Sequence, residues 1–409
     1  MKLNGIIPMR VINILAHLMS LLLGLSFVMA SCQREDNPSE GTVNATPIEL
    51  SPSGEWSDLS RGVIEGLDDL TGDGFVVWAN WTKDPEDESI FTNDYSSGVT
   101  NLVFGEHGTK VYATDGSGDG FFTPVQQILD TWYYTPKRYW QRGTYTFAAA
   151  LPATAFNASC VKEESDVTGT ANITGTLGLD NTLTLTFGQD ENERPLGFNL
   201  AANQIDLMFA VTDVDNCDEN ASEVSEGVSL QFEEHSFAQI VIEAASIDEN
   251  VDIIVDKVTF SGNHKSTTGP INVSLGDEGV VLDYTIDPNS STDSDAPYQV
   301  IDNIGVRASK LTTDADGNWK FDYKTIVSGL LVFPEESTMT LDIEYRASFP
   351  DSPDITSDTI TGTVTTSAPV IWQKGRKYLY KLQISQHRVD IASSGVMDWN
   401  SKDITHTFN

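Results

Sequence analysis

Cysteine, histidine and positive charge are all scarce in this 409-residue chain, and each shortage removes a class of function. Three cysteines, Cys32, Cys160 and Cys217, are too few for a disulfide framework. None has a His or Cys neighbour at zinc-ligand spacing. The six histidines, His17, His107, His235, His264, His387 and His406, are scattered and accompany no Gly-x-Ser-x-Gly nucleophile elbow. Carboxylates abound, but nothing in the sequence sets two of them at glycosidase spacing. The chain is therefore read as a non-enzyme that needs no cofactor. With 24 Lys and Arg against 60 Asp and Glu, the formal net charge of −36 argues against nucleic acid and against adsorption to anionic lipid. No amphipathic helix of three turns stands out either, which directs attention to strands.

One long apolar run is present, from Val11 to Met29, behind the basic residues Lys2 and Arg10. It leads into Val28-Met29-Ala30-Ser31-Cys32, a lipoprotein signal peptide of residues 1–31. The small Ala30 and Ser31 admit a signal peptidase, and the Cys32 thiol can take the lipid that holds the mature chain to a membrane. A plain transmembrane anchor is less favoured, because Gln33-Arg34-Glu35-Asp36 makes no aromatic or basic stop-transfer flank. The same four residues resemble the tag that sends lipoproteins of Bacteroidales-type bacteria to the cell surface; the alternative is a solvated acidic tether. Residues 32–47 form that tether.

Beyond it the hydrophobic period is two. Met339, Leu341, Ile343 and Tyr345 alternate with Thr340, Asp342, Glu344 and Arg346; Leu183, Leu185 and Phe187 alternate with threonines. Tyr378, Tyr380, Leu382 and Ile384 form a third such set, and Val251, Ile253 and Val255 a fourth. Turn-forming clusters such as 115–120 and 287–296 separate these runs. The expectation is an all-β chain of two tandem β-sandwich domains. They span residues 48–212 and 227–409, divided by an acidic linker, 213–226, that lacks periodicity.

Several segments resemble fimbrillin-like proteins, in the right order over nearly all of the mature chain. They are Gly72-Asp73-Gly74-Phe75-Val76-Val77-Trp78-Ala79, the aromatic run Trp132 to Trp140 leading to Tyr145-Thr146-Phe147, and Ile205 to Ala210. In the second half they are Val228 to Ile240, then Trp372 to Tyr380 with Val396-Met397-Asp398-Trp399. The resemblance implies two transthyretin-like sandwiches, export as an outer-membrane lipoprotein, and assembly with other pilin subunits into a surface fimbrium that supports adhesion. It also implies that an arginine-specific protease removes the first strand and that a strand from another subunit takes its place. Carried over by residue, Ile48 and Leu50 belong to the removed strand and the scissile bond joins Arg61 to Gly62. Arg61 is the only basic residue between Arg34 and Lys83; without the resemblance it reads as a solvated loop arginine. The candidate donor strand is 400–409, with Ile404, His406 and Phe408 on one face; the alternative is that this tail pairs within its own domain.

Three further features remain open. Cys160 and Cys217 can pair in an oxidising compartment or stay as separate thiols. Trp132, Tyr133, Tyr134, Tyr139 and Trp140 can pack a core or stack on sugar, so a tip adhesin or anchor that binds a glycan or host protein is the alternative function. The acidic turns 115–120 and 213–218 offer hard oxygen ligands, but neither completes the calcium-loop pattern with Glu at its twelfth position, and no metal is assigned.

Overall fold

The computed structural model describes residues 46–53, 74–86, 99–114, 131–134, 136–157, 173–189, 195–200, 204–217, 227–232, 235–248, 251–261, 266–276, 279–287, 298–308, 311–313, 319–321, 323–349, 352–366, 369–398 and 406–408. The signal peptide, Cys32, Arg61, Gly62, Cys160, Ile404 and the turn 115–120 lie outside them. The described chain is nearly all-β. No helix among the described residues is long and apolar enough to cross a membrane.

The first strands are β1 (Leu50–Ser53), β2 (Phe75–Lys83), β3 (Thr100–Leu102), β4 (Thr109–Thr114), β5 (Thr131–Tyr133) and β6 (Gly143–Leu151). Next come β7 (Ile173–Leu177), β8 (Thr182–Gln189), β9 (Pro195–Leu196), β10 (Met208–Asn216) and β11 (Val228–Gln231). They are followed by β12 (Ala238–Ser246), β13 (Asp252–Ser261), β14 (Ile271–Gly276), β15 (Gly279–Asp283), β16 (Tyr298–Ala308), β17 (Leu311–Thr313) and β18 (Trp319–Phe321). The last are β19 (Lys324–Val332), β20 (Glu336–Ser337), β21 (Thr340–Phe349), β22 (Ser352–Thr356), β23 (Ile360–Thr365), β24 (Val370–Ile371), β25 (Arg376–Ile384), β26 (Val389–Asp398) and β27 (His406–Phe408).

Strand β2 explains the first half of the fold. Phe75-Val76-Val77-Trp78-Ala79 is apolar at every position, so both of its faces need cover. It lies at the centre of the sheet β10-β6-β2-β4-β5, with β3 also paired to β2. From one face Val76, Trp78, Ala148, Ala150 and Phe209 enter a core with Ile173, Leu183, Leu185, Ile271 and Val273 of a second sheet, β15-β14-β8-β7. From the other face Phe75, Val77, Ala79, Phe147, Ala149, Met208 and Ala210 enter a separate core with Ile48, Leu50, Val228, Leu230 and Phe232. Among the described residues no full sheet covers this side. The two-stranded ribbon β1-β11 does so instead.

The second half is a sandwich. Sheet β19-β12-β25-β26-β27 faces sheet β16-β13-β21-β22, in which β23 also pairs with β21. Between them lies one core that includes Ile240, Ile242, Val255, Phe260, Leu341, Ile343, Tyr345, Tyr380 and Leu382. The alternation read from β21 holds: Met339, Leu341, Ile343 and Tyr345 are buried, and Arg346 on the opposite face donates two 2.6 Å hydrogen bonds to Asp256 of β13.

The pairings cross the expected domain limits. β10 runs on to Asn216, so residues 213–216, assigned to the linker, are ladder residues opposite β6. β11 and the hairpin β14–β15, both placed after residue 227, pair with β1 and β8 respectively and so complete the first half. The reason is physical: both faces of the sheet are apolar, and part of their cover comes from Val228, Leu230 and Phe232 on one side and Ile271, Val273 and Leu275 on the other.

Trp78, fully buried, needs room beside its indole. Gly108 provides it at φ +70°, where an added Cβ would sit 2.7 Å from both Trp78 Nε1 and Val77 O. Gly108→Ala combines the left-handed backbone penalty with overpacking, and we expect it to lower the unfolding free energy by at least ~2 kcal/mol, measured as a shift of the urea midpoint.

Candidate functional site

The segment 46–53 threads between two walls. On one side Trp140 N–H donates to Thr46 O (3.1 Å) and Ile48 N–H to Arg138 O (2.8 Å), with Pro47 opposite Tyr139 in an antiparallel bridge. On the other side β1 runs parallel to β11, Leu50 facing Val228 and Ser53 facing Gln231. There Val228 N–H donates to Glu49 O (2.7 Å) and Phe232 N–H to Ser53 O (3.0 Å). The Ser53 and Ser229 hydroxyls add a 2.8 Å contact. The walls are close: a Cβ on Gly227 would lie 3.0 Å from Glu49 O. Removing the segment would leave donors on both walls without these acceptors, a cost that folded proteins avoid.

Side chains alternate as the strand period dictates. Ile48 and Leu50 point inward at 0% and 3% exposure, while Glu49 and Ser51 are exposed. Tyr134 closes the groove over them. Its hydroxyl donates to Ile48 O at 2.7 Å, and burial pushes the phenol up to about 12. Lys137 Nζ sits 4.6 Å from the centre of the Tyr134 ring and 5.4 Å from that of Tyr133. Desolvation lowers the Lys137 ammonium from its ordinary value, and the charge of Glu49 pulls the other way.

The aromatic run is thereby divided in two. Tyr134 is buried; Trp132 packs 5.3 Å from Phe75, and Trp140 edge-on 4.9 Å from Tyr145. These rings belong to the groove. Tyr133 and Tyr139 remain at the surface, 41% and 43% exposed.

The other sequence candidates fall elsewhere. Residues 406–408 form β27, which pairs antiparallel with β26 at the edge of the C-terminal sheet, His406 opposite Val396 and Phe408 opposite Ser394. Cys217 is a half-buried free thiol. Burial, then the hydrogen bond and charge of Asp215, push it up to about 11. His235 is buried, with Nδ1 2.7 Å from Asp206 Oδ2, at the point where the chain passes from β11 to β12. Sequence reasoning missed this carboxylate partner, and it missed β11 as a groove wall. Among the described residues no three His, Cys, Asp or Glu side chains are grouped as metal ligands.

The model of one family, described as fimbrillin-like, matches residues 80–399. The chain belongs to the fimbrillin-like family. Solved structures similar to this fimbrillin-like chain include a fimbrial protein from Bacteroides vulgatus, 18% identical, over 86% of this chain and 99% of that one, with a TM-score of 0.46. A protein assigned to cell adhesion from Bacteroides uniformis is 15% identical over 87% and 99% of the two chains, with a TM-score of 0.37. The fimbrial anchor protein Mfa2 from Porphyromonas gingivalis is 10% identical over 88% and 100%, with a TM-score of 0.26. No protein of curated function matches the fimbrillin-like chain.

Two outcomes test the geometry. Leu50→Ala empties an inward position and should lower the unfolding free energy by about 2–4 kcal/mol, whereas Glu49→Ala should stay within ~1 kcal/mol, both read from urea unfolding. The thiolate is the reactive form, so in a Cys160→Ser chain beginning at Gln33, alkylation of Cys217 at pH 8 should be roughly a hundredfold slower in folded than in urea-unfolded protein. Its rate in the folded chain should still be climbing at pH 10.

Proposed function

We propose that this chain is a non-catalytic pilus subunit that is lipidated at Cys32, exported to the outer-membrane surface, and cut between Arg61 and Gly62. The cut separates residues 46–53 from the body of the protein. Loss of that segment opens the groove between β11 and residues 138–140, and a strand from another pilin subunit fills it by β-augmentation. The mature chain then resides in an extracellular fimbrium that supports adhesion. One observation supports this reading: the first strand lies between β11 and residues 138–140, paired to both by backbone hydrogen bonds and with Ile48 and Leu50 turned inward, and the sequence joins it to the rest of the chain through the stretch that contains Arg61. Burial of two such side chains stabilises that strand by about 1.5–3 kcal/mol each, enough to guard the groove and little enough for a competing strand to displace.

A second reading draws on Tyr133 and Tyr139. Exposed rings beside the groove favour a tip adhesin or an anchor subunit that binds a glycan or host protein without polymerising.

The test is the intact mass and N-terminal sequence of the protein from shed filaments and from cells. Chains beginning at Gly62 in filaments, lost on Arg61→Ala substitution, are the expected result; a lipidated Cys32 start in every fraction would overturn the trimming step.

A further inference from the structure

The groove specifies its occupant in four ways. The backbone must run parallel to β11 to meet Val228 N–H and Phe232 N–H, and antiparallel to residues 138–140 to serve Trp140 N–H. Two large apolar side chains are called for at positions i and i+2, because Ile48 and Leu50 are buried in the same core as Phe75, Val77, Leu230 and Phe232. The residue between them is exposed and lies near Lys137, so an acid there, as at Glu49, is favoured by charge.

The chain's own tail fails this specification. In residues 400–409, Asn-Ser-Lys-Asp-Ile-Thr-His-Thr-Phe-Asn, the two large apolar residues are Ile404 and Phe408, four apart, with His406 between them. Every register that keeps both positions within residues 400–409 and seats one of them at i or i+2 puts His406 or Lys402 in the other space. An imidazole or ammonium buried among phenylalanines without a hydrogen-bond partner is costly. No acid lies between the seated positions in the two registers that use His406, where the intervening residue is Thr405 or Thr407. The tail also has a place at home, since β27 hydrogen-bonds to β26 of its own sheet.

We infer that the strand completing this groove is not residues 400–409 of a second copy but comes from a different protein, one presenting two aliphatic residues at i and i+2 with an acidic residue between, so that the chain does not polymerise through that tail. The inference rests on the strand-removal reading above and names the partner of that site. It makes this subunit a junction between unlike subunits.

Full chain starting at Gln33 is cut with an arginine-specific protease, the cut after Arg61 is confirmed by mass, and labelled synthetic peptides are titrated by fluorescence anisotropy. The peptides are residues 46–53, residues 400–409, and residues 400–409 carrying His406→Leu. The first-strand peptide should bind, the unaltered tail about 10- to 100-fold more weakly, and His406→Leu should recover most of that loss. The cut protein alone should remain monomeric on gel filtration. A tail peptide that binds within about threefold of the first-strand peptide, or ladders formed by the cut protein alone, would overturn the unlike-partner inference while leaving strand removal standing. If no peptide binds the confirmed cut protein, both ideas fall together.

Discussion

Everything in the first half of this molecule follows from one sheet that is apolar on both sides. Strands β2 and β6 carry almost no polar residue across their middle, so neither face can meet water. One face finds a conventional partner in a second sheet. The other is covered piecemeal, by the two-stranded ribbon β1-β11 and by rings of the 132–140 stretch. A sheet with a single apolar face would have needed no cover from β1 and β11.

The same demand ties the two halves of the chain together. β11 and the hairpin β14–β15 come from beyond residue 227, yet they complete the cover on opposite faces of the first sheet. The passage from β11 to β12 is fixed by the buried His235–Asp206 pair and by Ser236 N–H donating to Leu207 O at 2.8 Å. Gln204 adds a second tie, its amide accepting from Leu331 N–H and donating to Leu331 O. β12 then becomes a central strand of the C-terminal sheet, so the wall of the groove and the second core belong to one continuous stretch of chain.

How much of this could be read beforehand depended on whether the signal was local. The alternation of Leu341, Ile343 and Tyr345, or of Leu183, Leu185 and Phe187, is written in consecutive residues, and the strands lie where it puts them. Ile48 and Leu50 were singled out by the family resemblance instead, and the structure turns both inward. Pairings such as Leu50 with Val228, or Leu185 with Ile271, leave no trace in either segment alone, and the domain limits drawn from composition therefore ran across them. The acidic stretch after Thr212 looked like linker because of its charge, although residues 213–216 continue a ladder whose exposed side tolerates carboxylates. Asp206 looked like one acid among 60; its partner in the fold is what distinguishes it.

The parallel register of β1 on β11 also sets an order of events. Leu50 meets a partner 178 positions further along, and the sheet that backs β2 is incomplete until residues 271–283 arrive. Closing loops of that length costs entropy that only the finished core repays. A chain made from its N-terminus therefore supplies its first strand long before the strand that pairs with it exists. The groove cannot be complete before β11 is present, and by then the first strand is already part of the same chain.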